Sequence, residues 1–304
     1  MAKCLNFHAA YQCRRTGVCC SAGWNIPFDA AELRIVGALA TAVGTVQSAN
    51  GGGTAVLRGG RCTFLHRDAG GPAACEIHRL GGHASLPLTC RMFPRIVLHD
   101  QRGTFISLSH FCPTAVGMLF EPGPAVAIVD APAALAGSDP LDGLNARDVW
   151  PPLLRPGLMM DLESFGLWEQ LAVDLLSRAE LSPCTALDAL TSATATLLAW
   201  KPGQVPLPRA VRDAFAGIAP APAVLVNHDG AVKRWLAARL FGTWIAYQGN
   251  GLDTIVRYLR ACLDVFRVEL ARDGRAREAI RRADHLIVHE SSSQQLANLL
   301  NERS

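Results

Sequence analysis

The sequence has few of the features that place a chain in a membrane, export or nucleic-acid class. It contains no run of about 18 consecutive apolar residues, so no transmembrane helix is predicted. Its first residues, MAKCLNFHAAYQC, include no apolar stretch of the length that a signal peptide needs. The net charge of +3 gives no electrostatic reason to expect a nucleic-acid partner. We therefore expect a cytoplasmic protein with neither a membrane nor a nucleic-acid partner.

Cysteine is too scarce overall for a disulfide scaffold, and two cofactor motifs are absent. The 10 cysteines among 304 residues fall well below the roughly 8–10% of such scaffolds. No acidic-GxGxG turn of the Rossmann-like methyltransferases is present, since the glycine run 51–53 follows no convincing strand. No CxxxCxxC run of the radical adenosylmethionine type occurs either. Any adenosyl cofactor would therefore bind at an unconventional site.

The cysteines that are present cluster in the amino-terminal third, where eight of the ten lie within the first 112 residues. Thiolates are soft ligands that suit zinc or iron–sulfur clusters, so this clustering indicates a metal site. In Cys13-Arg-Arg-Thr-Gly-Val-Cys19-Cys20, a glycine lets the backbone turn tightly enough for sulfurs to converge. The candidate metal ligands are Cys13, Cys19, Cys20, Cys62, Cys75, Cys90 and Cys112.

The number of candidate ligands leaves two interpretations open. Seven cysteines exceed the four that one tetrahedral zinc takes, so the chain has either two sites or some cysteines that only pack. Adjacent side chains of an extended chain point to opposite sides, so Cys19 and Cys20 reach one ion only from a bent backbone. The isolated Cys4, Cys184 and Cys262 are interpreted as buried packing residues.

The predicted fold class is mainly α, with an irregular cysteine-rich, metal-binding amino-terminal region that contains short β-hairpins, followed by a helical bundle. We assign residues 1–120 to the metal-binding region, 121–157 to a Pro/Gly-rich connector and 158–304 to the helical domain. Asp29 is the predicted N-cap of a helix over 28–43. Further helices are predicted over 161–180, 184–200, 206–218, 229–248, 251–272, 275–289 and 292–302.

The cysteine segments resemble a known family. The match covers about residues 7–116 and rests on "YQCRRTGVCCSAGWNIPFD", "RCTFLHRD", "ACEIHRLGGHASLPLTCRMFPRI" and "ISLSHFCPTA". In the order and approximate spacing of these elements, the chain resembles bacterial flagellin lysine-N-methylases and the broader CxxCxxCC family described as zinc- or iron-chelating. It departs from the CxxCxxCC pattern by lacking one cysteine before the Cys19-Cys20 pair.

This resemblance implies a 4Fe-4S cluster and methyl transfer from S-adenosyl-L-methionine to a lysine of flagellin or a similar protein. The attacking amine must be neutral, so a proton acceptor is required, and the sequence does not identify one. Glu32, Asp68 and Glu76 lie near the cysteines and are interpreted as solvated surface carboxylates. His78 and His110, each close to a candidate cysteine, are alternative ligands but are read as ordinary polar residues.

Two other functions remain open at this stage. The first is a non-enzymatic protein in which zinc or iron only holds the amino-terminal region together while the helical part binds a partner. The second is a redox or metal-handling protein in which the adjacent thiols cycle. Metal identity distinguishes a cluster enzyme from a zinc-stapled binding protein.

Overall fold

The computed structural model describes residues 1–39, 44–49, 51–67, 73–137, 141–218, 225–291 and 295–296. The chain is mainly helical, with 51% helix and 16% strand. The strands are β1 (Ala2–Leu5), β2 (Pro27–Phe28), β3 (Val46–Ala49), β4 (Gly52–Ala55), β5 (Leu57–Arg58), β6 (Arg61–Cys62), β7 (Leu65–Arg67), β8 (Ala73–Cys75), β9 (Arg95–Asp100), β10 (Gly103–Leu108), β11 (Ile128–Asp130), β12 (Leu144–Asn145), β13 (Leu153–Arg155) and β14 (Leu158–Met159).

The helices are short in the cysteine-rich part and long after it. They are α1 (Ala30–Ala38), α2 (Glu76–Gly81), α3 (Leu88–Met92), α4 (Pro113–Phe120), α5 (Ala133–Ala136), α6 (Leu162–Ser177), α7 (Pro183–Leu198), α8 (Leu207–Ala216), α9 (Asp229–Leu240), α10 (Ile245–Gln248), α11 (Leu252–Asp273) and α12 (Ala276–His285), and a π-helical turn, Leu286–Glu290, follows α12.

A five-stranded sheet connects the two halves of the chain. Its strand order is β11-β1-β10-β9-β12. β9 and β10 pair antiparallel around the turn at Gln101 and Arg102, with Asp100 opposite Gly103. β1 runs parallel to β10, and β12 runs parallel to β9. The amino-terminal segment is thus held in the sheet by pairing with residues about a hundred positions later.

One hydrophobic core contains side chains from both the sheet and the long helices. Leu5, Leu98 and Phe105 of the sheet belong to the same buried cluster as Trp168 of α6 and Trp235 of α9. Burial of apolar surface provides the main driving force for such packing, at about 25 cal/mol per Å². The sequence left open whether the amino-terminal third and the helical part share a core, and the structure shows that they do. The predicted domain boundaries stay a prediction.

Polar contacts also join the sheet to the helices. Arg102 donates hydrogen bonds to Asp100 at 2.8 Å and to Glu169 of α6 at 2.9 Å. Both carboxylates are almost fully buried, so the guanidinium neutralises charge that would otherwise be costly inside the protein. This arrangement fixes α6 against the end of the β9–β10 pair.

Several helix boundaries follow the sequence signals, and others do not. Asp29 caps α1 in a capping box with Glu32, and α1 ends at Ala38, while residues 40–43 of the predicted helix lie outside the described part. The helix predicted over 229–248 is divided, because Gly242 adopts φ +58° between α9 and α10. Most of the predicted helix 292–302 also lies outside the described residues.

Small sheets and short helices form the cysteine-rich part. β2, β4 and β3 make one three-stranded sheet, and β5–β6 and β7–β8 make two-stranded ladders. Among the described residues, no helix combines the length and the apolar character needed to span a bilayer.

Candidate functional site

Five of the seven predicted metal ligands line one cavity of about 410 Å³. Several separate elements contribute to it: a 3₁₀ turn (Val18–Ser21), strand β6, strand β8 and helix α3. The five cysteines that these elements place around the cavity are Cys19, Cys20, Cys62, Cys75 and Cys90. Residues separated by up to about seventy positions in the chain therefore present sulfur atoms to the same space.

The backbone around Gly17 allows the adjacent cysteines to line the same cavity. Gly17 adopts φ +68° and precedes the 3₁₀ turn, so the chain is bent and not extended where Cys19 and Cys20 follow. A Cβ at Gly17 would lie 2.7 Å from Leu65 Cδ1 and 2.9 Å from the Ala73 carbonyl oxygen. Both the left-handed conformation and the close approach to β8 therefore require glycine at this position.

Contacts among the thiols divide the five cysteines into two groups. The Cys20 thiol lies close to both Cys19 and Cys75 and can donate its single hydrogen to either one. A hydrogen bond from Cys20 to either neighbour stabilises that neighbour's thiolate form and lowers its pKa, to about 7 for Cys75. Burial raises the pKa of Cys62 and of Cys90. A bound metal would favour the thiolate form of the latter two against this burial.

Five thiol donors around one cavity suit either zinc or an iron–sulfur cluster. Thiolates that share one tetrahedral zinc bring their sulfurs to about 3.8 Å from one another, given Zn–S bonds of about 2.3 Å. Within the described residues, no three Cys, His, Asp or Glu side chains are grouped so as to hold one ion. An iron–sulfur cluster spreads its ligands, because each thiolate binds a different iron atom. Thiols placed around a cavity are donors that either kind of metal group accepts.

An unpartnered indole N–H in the cavity wall also fits a sulfur-rich group. Trp24 lines the cavity, and its Nε1 is buried with no hydrogen-bond partner among the described residues. Such a donor is costly to bury alone, and the sulfur atoms of iron–sulfur clusters accept hydrogen bonds. Phe93 and His289 flank the indole, with ring centroids 5.1 Å and 4.6 Å from it. These rings shield one side of the cavity.

The other two predicted ligands lie outside the cavity wall. Cys112 is buried as the residue that precedes α4, and its Sγ is 3.7 Å from the Tyr11 hydroxyl. It packs in a separate apolar cluster with Cys4, Ile106 and Leu108. Cys13 is exposed. The structure therefore brings Cys19, Cys20, Cys62, Cys75 and Cys90 together and places Cys13 and Cys112 elsewhere.

The nearby carboxylates differ from the surface residues that the sequence predicted. Glu76 is only 3% exposed and pairs with Arg79 at 2.8 Å. Glu32 is 8% exposed, accepts a hydrogen bond from the Leu88 backbone N–H and closes the α1 capping box. The interpretation as solvated carboxylates was therefore wrong for both, because each holds a local turn through buried contacts. Asp68 lies outside the described residues.

A buried polar network reaches the cavity wall through His289, on the π-helical turn. Its Nε2 is 2.8 Å from Ser109 Oγ, and Ser109 donates to Asp284 Oδ2 at 2.9 Å. Asp284 is fully buried and also accepts from the His110 backbone N–H at 2.7 Å and from Trp235 Nε1 at 2.9 Å.

This network determines which nitrogen of His289 carries the proton. Because the Ser109 hydroxyl donates its single hydrogen to Asp284, its oxygen accepts from His289 Nε2–H, and the lone pair of the neutral imidazole lies on Nδ1. Burial lowers the pKa of His289 to about 4, so the ring is neutral at pH 7. His289 thus has an oriented, unprotonated Nδ1, and no local sequence pattern marked this residue as functional.

A second cavity, of about 440 Å³, adjoins the first. The two share Arg95, Asp142 and His289 in their walls. The second cavity contains no cysteine in its wall and is lined in part by the aromatic residues Phe241, Trp244 and Tyr258. Both cavities thus have aromatic side chains in their walls, and the thiols line only the first.

Comparison with protein-family models, with curated proteins and with solved structures finds no match to this chain.

Proposed function

We propose that the protein holds a 4Fe-4S cluster between its clustered cysteines and transfers a methyl group from S-adenosyl-L-methionine to a lysine amine of flagellin or a similar protein. The observation that carries the proposal is the convergence of five cysteines, from separate elements, on one cavity. The flagellin lysine-N-methylase resemblance of residues 7–116 supplies the reaction.

The thiols of this chain match the ligand requirement of the cluster. Four thiolates complete a cluster of this type, so one of the five cysteines is not needed as a ligand. Cys62 and Cys90 come from different elements, and we assign both as ligands. The cysteine that is not needed as a ligand is then Cys19, Cys20 or Cys75, which lie close to one another. When bound, the cluster would supply iron that accepts soft or anionic ligands and would hold these segments together.

The transfer itself requires a neutral amine and an acceptor for its proton. A lysine ammonium group that reaches the wall shared by the two cavities loses hydration, which favours the neutral amine. His289 Nδ1 accepts the proton; burial disfavours the imidazolium that forms, and Asp284 offsets part of this cost through Ser109. The amine lone pair then forms the N–CH₃ bond, while the sulfur–methyl bond breaks and its electron pair stays on sulfur, giving a thioether.

A labelled-methyl assay tests the proposal. Protein purified without oxygen is incubated with methyl-labelled S-adenosyl-L-methionine and flagellin, and the flagellin is analysed by peptide mass spectrometry. Label on lysine side chains is expected. An iron-loaded preparation that leaves every flagellin lysine unmodified contradicts this activity toward flagellin. A protein with stoichiometric zinc and no transfer would instead favour a metal-stapled binding function.

A further inference from the structure

The second cavity has the size and lining of a small-molecule site. Its volume of about 440 Å³ lies within the roughly 300–1,000 Å³ of typical ligand pockets. Trp244, between α9 and α10, is half-buried and contributes aromatic surface, whereas Phe241 and Tyr258 border the cavity from almost fully buried positions. Aromatic side chains in such a pocket favour a flat ring system over a narrow aliphatic chain.

A buried guanidinium, that of Arg239, also belongs to the wall of the second cavity. Arg239 is 5% exposed and lines the cavity. Its Nη2 donates to the Leu108 carbonyl oxygen, while its Nε lies 3.5 Å from Asp284 Oδ1 and has no hydrogen-bond partner among the described residues. Arg239 thus places a guanidinium at the cavity wall, with its charge balanced by the buried Asp284 carboxylate.

Charges of both signs lie at the wall shared with the cysteine cavity. Asp142 is exposed and carries a carboxylate, and Arg95 contributes a guanidinium anchored by a hydrogen bond from its Nε to the Leu135 carbonyl oxygen. His289 lies at the same wall. A ligand that combines a flat ring, a cationic centre and a carboxylate therefore finds a complementary group for each part.

We propose that the second cavity binds the adenosyl amino-acid cosubstrate, with its sulfonium end at the wall formed by Arg95, Asp142 and His289. The inference rests on the proposed function, which supplies the reaction, and it adds the location of the cosubstrate. It also separates this site from the cysteines, so cosubstrate binding does not require direct contact with their thiols.

Calorimetric titration with S-adenosylhomocysteine, the thioether product, tests the location without turnover. The anaerobically purified wild-type protein is expected to bind one equivalent. Val288→Trp and Ser291→Phe each enlarge a half-buried side chain in the second cavity and should weaken binding by about tenfold or more. The matched control, Leu57→Trp, enlarges a side chain that lines only the cysteine cavity and should leave the affinity unchanged. Circular dichroism verifies that all three variants are folded.

The outcomes separate this site from the proposed reaction. No binding by the wild type overturns the site, as does weakening by Leu57→Trp with none by the two second-cavity variants. Weaker binding by the two second-cavity variants supports the site even if no lysine becomes methylated, in which case only the proposed reaction is refuted. Methyl transfer together with an affinity that these variants do not change would leave the reaction standing and refute the location.

Discussion

His289 and Ser109 are 180 residues apart in the chain, and their side chains meet at 2.8 Å. The contact orients the imidazole at the wall between two cavities and connects it, through the serine hydroxyl, to the buried Asp284 carboxylate. A base, a relay hydroxyl and a carboxylate are thus assembled from the sheet end and the last helical segments.

Replacement of His289 tests its role as the proton acceptor. His289→Asn should lower the rate of lysine methylation about 10²- to 10⁴-fold, the range typical for loss of a general base, while iron content stays unchanged. The rate is measured with labelled cosubstrate across a pH series, where the variant should lose the wild-type dependence on an ionising base. His228→Asn is the matched control, since His228 lines neither cavity and packs against Phe266. A His289→Asn enzyme with the wild-type rate and pH profile refutes the assignment.

Substitution of single cysteines tests which thiols hold metal. Cys62→Ser and Cys90→Ser should each reduce bound iron sharply, because each removes a sulfur donor that the Cys19–Cys20–Cys75 group does not replace. Cys112→Ser and Cys262→Ser should retain wild-type iron, since both thiols are buried outside the cavity wall. Iron and acid-labile sulfide are measured after purification without oxygen. Equal iron in all four variants would be incompatible with the cavity as the metal site.

Substitution of Gly17 tests whether the backbone turn that carries Cys19 and Cys20 is constrained. Gly17→Ala introduces a Cβ 2.9 Å from the Ala73 carbonyl oxygen, so the turn that carries Cys19 and Cys20 must shift. We expect lower iron retention and a lower thermal midpoint. Gly59→Ala is the matched control, because Gly59 also has a positive φ, +57°, but a Cβ there meets no atom within 4 Å. Each variant carries the strain of a left-handed alanine, about 1–2 kcal/mol, and only Gly17→Ala adds the collision. Equal iron in the two would argue against a constrained turn.

The buried histidine pair predicts a loss of stability in acid. His8 and His110 are fully buried, their Nε2 atoms are 3.2 Å apart, and burial lowers the pKa of each well below its usual value. Arg239 also disfavours protonation of both, while Asp284 favours protonation of His8. The unfolded chain therefore binds protons that the folded chain excludes, and the free energy of unfolding falls as pH drops below about 6.5.

Urea unfolding at about pH 7.5 and about pH 5.5 measures this effect. Each excluded proton contributes a slope that approaches about 1.4 kcal/mol per pH unit. His8→Gln removes one titrating ring, so the variant should lose less stability than the wild type between the two pH values, whatever its stability at neutral pH. An equal or larger loss in His8→Gln would show that the ring does not account for the acid sensitivity.

Local sequence patterns predicted the helix starts, whose structure depends on residues only a few positions apart in the chain. Asp29 and Glu32 form the expected cap because a capping box needs only residues three apart. Pro183 begins α7, as its fixed φ favours. The division of the helix predicted over 229–248 was not foreseen, since one glycine at Gly242 does not by itself reveal that the chain will turn against Phe105.

The sequence predicted that clustered cysteines form the site, but not which of them line the cavity. Residue type and clustering along the chain identified the candidate thiol ligands. Whether a given thiol faces the cavity depends on tertiary packing: Cys112 contacts Tyr11, whereas Cys90 packs against the hydrophobic cluster that includes Phe64 and Ile77. His289 had no local signal, because its partner Ser109 and the carboxylate of Asp284 come together only when the sheet packs on α12. The second cavity depends on the same packing.

Metal analysis of the wild-type protein, purified without oxygen, is the most direct test of whether the five cysteines bind a cluster. Iron and acid-labile sulfide should each be present at about four per chain, with the broad visible absorption of a 4Fe-4S protein. A colourless protein that contains stoichiometric zinc, or one in which all five cavity thiols react freely with a thiol reagent after anaerobic iron and sulfide loading, would contradict it.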